Sequence, residues 1–433
     1  MKCLAGRLAT AFATFLTVAS MSATAEEFKF DANEFEKKVF EFSGYLEQKE
    51  DALKLRSSSP AFKLAYPGEA ERTSLLRNTT TLEASGKLNL GSVVGDVRGQ
   101  SVYSGDSLGQ SISTNTLMEG GLRWSVDPSL TFDAGKRVQR WGKGYSWNPV
   151  GFVERPKDPA DPQASRQGYV MASGEWTKSF SGPISTIGLT GLILPTNDGI
   201  NPDFGKKEDL NPAAKLYLLA LDTDIDLMWL GKGARPQSFG FDFSRNLSTA
   251  LEVHGEWART LDASRFTITD SGATSSQSVN FNSYLLGLRY LTEGEVTWVG
   301  EYYRNGAGYG AEELSSYYQF LDGALTTSAA PGLINKALTA AQSGYGKPNP
   351  GRDYLYLKAS VNEPFDWVYG AASLTSIVNL NDHSFQITPE VSYTGFSNLE
   401  LRARLIILGG QPNTEFGEKI ASARVEVYAR YFF

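Results

Sequence analysis

The stretch Ala421–Phe433, ASARVEVYARYFF, is the one whose reading decides the fold. Under strand periodicity Phe433, Tyr431, Ala429, Val427, Val425 and Ala423 share one face, while Phe432, Arg430, Tyr428, Glu426, Arg424 and Ser422 share the other. A strand sends successive side chains to opposite sides, so this segment is apolar on one side and mostly polar or charged on the other. A soluble sandwich strand alternates in the same way. The decision therefore rests on the rest of the chain.

The same alternation recurs upstream. Phe239, Phe241 and Phe243 oppose Gly240, Asp242 and Ser244; Leu399, Leu401, Ala403 and Leu405 oppose Glu400, Arg402 and Arg404. The pattern predicts eighteen strands, near 39–48, 78–90, 92–104, 114–126, 129–138, 167–180, 185–195, 213–221, 224–232, 237–245, 249–260, 281–291, 295–306, 352–363, 366–378, 384–394, 396–407 and 421–433. Most have the length of about 9–11 residues that crosses a hydrocarbon core at a tilt. Tight turns, such as those around Gly91, Asp222-Thr223 and Thr394-Gly395, alternate with links that are mostly longer, among them 49–77, 139–166, 261–280 and 307–351. Short turns on one rim and long loops on the other are what a transmembrane β-barrel shows.

Composition agrees. The N-terminus reads MKCLAGRLATAFATFLTVASMSATA, with Lys2 and Arg7 before a short apolar run and Ala23-Thr24-Ala25 after it. That is the layout of a secretory signal peptide, expected over 1–25 with cleavage after Ala25, leaving one domain over 26–433. Cys3 is the chain's single cysteine and falls in the leader, so no disulfide framework is expected. The mature chain keeps 48 acidic residues and 39 of the 41 basic ones, a net charge of 39 − 48 = −9. This balance argues against a nucleic-acid partner. After the leader no apolar run is long enough for a membrane helix, and an exported chain without one spans a membrane only as a closed barrel.

With these features together, the aromatic end with Tyr431 two residues before Phe433 resembles the C-terminal assembly signal of Gram-negative outer-membrane β-barrels. The plan as a whole is similar to that of the substrate-specific porins, and more loosely to the alginate-export barrels. The resemblance implies an up-and-down antiparallel barrel in the outer membrane, surrounded by lipid and lipopolysaccharide and inserted by the barrel-assembly machinery. It implies passive passage of a hydrophilic solute, with neither cofactor nor nucleotide.

Eighteen strands enclose a lumen wide enough for an aqueous path. Arg123, Arg137, Arg402, Arg404, Arg424 and Arg430 fall on inward faces, where they either line a pathway or pair with acids of neighbouring strands. Only Glu400 and Glu426 lie near the last four in sequence, a local basic excess that favours an anionic solute unless the first strands supply partners. The link 139–166 carries Arg140, Lys143 and Arg155 beside Trp141, Tyr145, Trp147 and Phe152. So many aromatics favour burial, so the link is expected to fold into the lumen and narrow it, with a cap over the mouth or an aromatic belt as alternatives. The insertion 307–351 shows helical spacing at Leu314, Tyr317, Tyr318 and Leu321, a plug or lid, or packing without a gating role. Metal sites lack support, since the acidic turns do not have EF-hand spacing. Of the two histidines, His254 sits between Glu252 and Glu256 on an inward face without a hydrolase signature. A loop-plugged receptor, adhesin or export component, and an outer-membrane lipid-modifying enzyme, stay open beside the channel.

Overall fold

Alternation of large apolar and polar side chains draws the chain into strands whose two faces meet different surroundings. The computed structural model describes residues 38–69, 71–205, 207–326 and 331–433. The expected signal peptide lies outside the described residues. In chain order the strands are β1 (Phe40–Leu55), β2 (Ser74–Leu90), β3 (Val93–Asp106), β4 (Ser111–Asp127), β5 (Leu130–Arg137), β6 (Tyr169–Ser179), β7 (Ile184–Thr196), β8 (Asp209–Ala220) and β9 (Thr223–Leu230). They continue as β10 (Ser238–Asn246), β11 (Leu251–Ile268), β12 (Thr274–Leu291), β13 (Thr297–Arg304), β14 (Asp353–Asn362), β15 (Gly370–Asn379), β16 (Phe385–Phe396), β17 (Leu399–Gly409) and β18 (Ala421–Phe432). Each pairs antiparallel with its sequence neighbours. β1 also pairs with β18, from Tyr45↔Phe432 to Lys54↔Ala423, so the sheet closes on itself. The fold is a closed eighteen-stranded antiparallel barrel, the architecture read from the sequence.

Its exterior is apolar. Leu122, Trp124, Phe132, Leu189, Ile193, Phe241, Leu288, Leu357 and Val425 all point outward and are exposed. An Arg or Lys on such a face at mid-depth would cost about 2–4 kcal/mol, which is why most of the strand charges turn inward.

Two long links depart most from the sequence expectation. β1 and β2 extend to Leu55 and back to Ser74, so much of the expected link 49–77 is strand, with helix α1 (Pro60–Ala65) at its top. β11 and β12 run on to Ile268 and Thr274 through a bulge between Thr260 and Ala263, so most of the expected link 261–280 is a hairpin. Strand pairing here outlasts the clean apolar alternation that marks a lipid-facing segment. The insertion 307–351 holds α2 (Ala311–Ala324) and α3 (Pro331–Ala341). They pack Leu314, Tyr317, Tyr318, Phe320 and Leu321 with Phe266 and Ile268 of β11 and with Leu64 of α1. Lys63 reaches Asp322 at 2.6 Å, and Lys419 donates to the Pro348 carbonyl at 3.0 Å, so this helical layer is tied to the β1–β2 and β17–β18 links.

The closing seam depends on one small residue. Gly44 and Phe433 exchange backbone hydrogen bonds of 3.0 Å in each direction, and the Phe433 ring lies 5.8 Å from that of Phe42. A Cβ on Gly44 would stand 2.6 Å from the Phe433 ring and 2.4 Å from the Glu83 carbonyl oxygen. Overpacking of this kind costs about 1–3 kcal/mol. Gly44→Val is therefore expected to lower the temperature at which the folded, heat-modifiable gel band converts to the unfolded one. Gly191→Ala, where the added carbon meets open space, should leave it unchanged.

Candidate functional site

The link between β5 and β6 crosses the lumen. Trp141, Val150, Phe152 and Val153 are buried against inward Tyr169 and Met171 of β6, Leu192 and Leu194 of β7, Ala213 of β8, Met228 and Leu230 of β9 and Ala258 of β11. Trp147 meets the wall formed by β12 to β15, among Leu285, Val299, Tyr354, Tyr356 and Ile377. Its ring stacks on Tyr303 at 5.0 Å and 18°. An apolar lumen wall over β6–β9 is what gives this link a seat. The sequence carried that signal in β7, where Leu189 and Ile193 point outward while Leu192 and Leu194 point inward, leaving a strand apolar on both faces.

A loop without its own ladder must find partners for its backbone N–H groups. Two wall carboxylates supply them. Glu256 of β11 accepts from the Gly144 N–H at 2.5 Å and the Val150 N–H at 3.3 Å. Glu301 of β13 accepts from the N–H groups of Tyr145 and Ser146, the latter at 2.8 Å, and from the Ser146 hydroxyl. His254 Nε2 lies 2.9 Å from Glu301 as well. Gly142, at φ +97°, adopts a conformation that side chains rarely take, and a Cβ there would stand 2.6 Å from Glu256 Oε1. Within the loop, Glu154 accepts from the Trp141 N–H at 3.2 Å and pairs with Arg166. Lys157 donates to the carbonyls of Gly144 and Tyr145. Burial lowers the Lys157 pKa, with Glu154 and Glu256 acting against that shift.

Beyond these clamps the Pro-rich part of the loop faces the opposite wall. Asp161 accepts from Arg404 at 3.3 Å, and Arg98 of β3 donates to the Ser165 hydroxyl at 2.6 Å. A polar gap remains between Asp161 and Gln163 of the loop and Lys358, Thr388, Glu390, Arg402 and Arg404 of the wall. It belongs to the charged half of the lumen, across from the apolar seat.

The candidate cations fall into distinct settings. Arg402 pairs with Glu400 at 2.7 Å, and Arg404 with Glu390 at 2.6 Å and Glu426 at 3.6 Å. Arg424 reaches Asp51 at 2.9 Å and Glu426 at 2.5 Å, while Arg430 reaches Glu47 at 2.5 Å and covers the Tyr45 ring at 4.5 Å. Closure against β1 thus offsets the basic excess that the last strands show in sequence. Arg123 pairs with Asp133 at 3.0 Å, and buried Arg137 with Asp133 and with Asp96 at 2.5 Å. Lys143 stands 2.9 Å from Asp226 of β9. Arg155 holds Asp203 of the β7–β8 link and lies over the Tyr169 ring at 4.5 Å, a brace between loops. Arg140 is exposed and, among the described residues, makes neither ion pair nor hydrogen bond. Sequence reasoning missed Asp161 and Glu154 as partners and could not place the acids of β1 in register, because Asp161–Arg404 and the β1–β18 pairs join segments remote in the chain.

Ser146, Glu301 and His254 come together, yet in an order unlike a hydrolase triad. The serine donates to the glutamate rather than to the histidine, and all three are buried under the loop. A Ser–His–acid relay requires the imidazole between the other two.

No protein-family model matches the sequence, and no curated protein matches it. Among solved structures, OccK5 (OpdH) of Pseudomonas aeruginosa is similar at 12% identity, covering 90% of this chain and 98% of that chain with a TM-score of 0.51. OprD of Pseudomonas aeruginosa matches at 10% identity over 92% of this chain and 97% of that chain, also with a TM-score of 0.51. The likeness is one of fold.

Charge-assisted hydrogen bonds contribute about 1.5–3 kcal/mol each, so the wall carboxylates are the principal polar hold on the loop. The double variant Glu256→Gln/Glu301→Gln is expected to loosen it. Single-channel current should become noisier and larger, and trypsin should cut after Lys143 or Lys157 faster than in the parent. Unaltered current and digestion would remove the clamp role.

Proposed function

We propose that the protein is an outer-membrane channel of porin type through which a hydrophilic solute diffuses passively. The observation that carries this reading is a sealed cylinder, its lipid-facing wall largely apolar and its interior charged, crossed by one inserted loop that leaves a polar gap against the β14–β17 wall. Such a wall arrangement sets selectivity through paired charges at close quarters. Arg402, Arg404, Arg424 and Arg430, together with the loop cations, are the proposed lining of the passage. Tyr431 and Phe433, outward and exposed at the closing seam, are the proposed assembly signal. The chemistry at His254 supports a structural role and no catalytic one.

The finer part of the proposal is a mild preference for anions. It rests on Arg140, since the arginines of β17 and β18 already face carboxylates.

A second reading has its own observation. The layer of α2 and α3 is tied to links at the same rim as the lumen mouth, which suits a closed barrel acting as a receptor or as part of an export complex.

Planar-bilayer recording of the purified full chain separates the two. The channel reading expects stepwise conductance, with a reversal potential in a salt gradient slightly on the anion side. Arg140→Gln should move that potential toward cations; an unmoved potential would discard the anion preference. Absence of steps over a range of voltages would favour the closed barrel.

A further inference from the structure

Residues 414–418 of the β17–β18 link are buried one after another, although connections normally run over the surface. Their backbone is held from two sides. Arg56 of the β1–β2 link donates to the carbonyls of Leu408, Phe416 and Gly417, and the Ser59 hydroxyl donates to that of Glu418 at 2.6 Å. The N–H of Glu415 donates to Asp382 at 2.7 Å and that of Phe416 to the Ser384 hydroxyl at 3.1 Å, both on the β15–β16 link. Phe416 joins the apolar cluster that seats Trp147 of the inserted loop.

The Glu415 side chain completes the docking. It is fully buried, and its carboxyl group accepts from the Tyr354 hydroxyl at 2.5 Å, the Asn379 amide at 2.8 Å and the Asn349 amide at 3.3 Å. All three donors are neutral, and among the described residues Glu415 makes no ion pair. Lys419 gives its ammonium group to the Pro348 carbonyl instead, at 3.0 Å. Tyr354 carries the contact inward, since its ring lies 5.6 Å from that of Trp147. One short chain of contacts thus runs from the link, through Tyr354, to the inserted loop.

A carboxyl group shut away from water among neutral partners favours its uncharged form. Burial moves the Glu415 pKa above the usual carboxylate range; Lys419 and the hydrogen bonds from Tyr354 and Asn379 act against that shift, and Asp382 adds to it. Tyr318 of α2 also faces this group, and Glu418 of the same link accepts from the Asn413 N–H at 2.8 Å. The docked link therefore binds a proton more readily than a link free in water. Docking is tightest below the ordinary carboxyl value of about 4.3 and weakens as pH rises through the raised value of the docked state.

We propose that the β17–β18 link is a strap across the lumen mouth, fastened by Glu415 and loosened as pH rises, and that it holds Trp147 through Tyr354. Its effect on flow rests on the channel reading; its docking does not.

Trypsin digestion of the purified, folded full chain reads docking without conduction. Cleavage after Lys419 requires the link to leave its seat, whereas Lys232 of the β9–β10 link is exposed and corrects for the protease's own pH dependence. The ratio of the two cleavages is expected to rise from mildly acidic to mildly alkaline buffer, with a slope that a single proton limits to about tenfold per pH unit. Cleavage after Lys157 of the inserted loop should rise in step. In Glu415→Gln, which keeps an acceptor and cannot ionise, the ratio should stay low and flat, with heat-modifiability confirming that the variant folds. A ratio that is flat in the parent, that rises equally in Glu415→Gln, or that is high at every pH in Glu415→Gln would overturn the strap. A loop that stays protected while the link opens would overturn its hold on Trp147. A rise abolished by Glu415→Gln in a barrel without conductance steps would support the strap and count against the channel reading.

Discussion

Hydrocarbon offers no hydrogen bonds, so every peptide group at membrane depth must be paired within the protein. Everything else in this barrel follows from that requirement. It forces the sheet to close, and closure places β1 against β18 in a register fixed by the apolar rows on the outer face. The same register sets the lumen. Glu47 and Asp51 come to stand beside Arg430 and Arg424, which are nearly the whole chain away in sequence. Wall and lining are consequences of one pairing scheme.

The requirement applies again to the inserted loop. Its backbone runs through the lumen without strand partners, and Glu256 and Glu301 accept the N–H groups that a ladder would otherwise take. Trp141, Val150 and Val153 supply the opposite half of the hold by filling an apolar stretch of wall. The lumen thus has two sectors. One is occupied by the loop and its seat. The other keeps its arginines and carboxylates in pairs beside Asp161, where a passing solute would compete for them.

The strands were legible because lipid imposes period-2 alternation on any segment that faces it. β10 and β17 declare themselves through Phe239, Phe241 and Phe243, and through Leu399, Leu401 and Leu405. Legibility ended where that pressure ended. β11 continues past Thr260 through a bulge, with a pattern that no longer distinguishes the two faces. At the far ends of β1 and β2 the reason is different: Glu50 and Lys54 of β1 face outward and are charged, so the pattern breaks although the strand goes on. In the lumen, sequence identified the arginines but not their partners, because Arg424 and Asp51 meet only through closure. Glu256 and Glu301 read simply as inward charges, and nothing local tied them to the N–H groups of residues 144–150.

The claim that the β5–β6 loop narrows an open passage is tested most directly by the single-channel conductance of a variant lacking residues 142–162, compared with the full chain in the same bilayer and salt. The account predicts a larger conductance with weaker dependence on solute size. A folded variant whose conductance equals that of the full chain would contradict it, since the loop would then occupy a part of the lumen through which nothing passes.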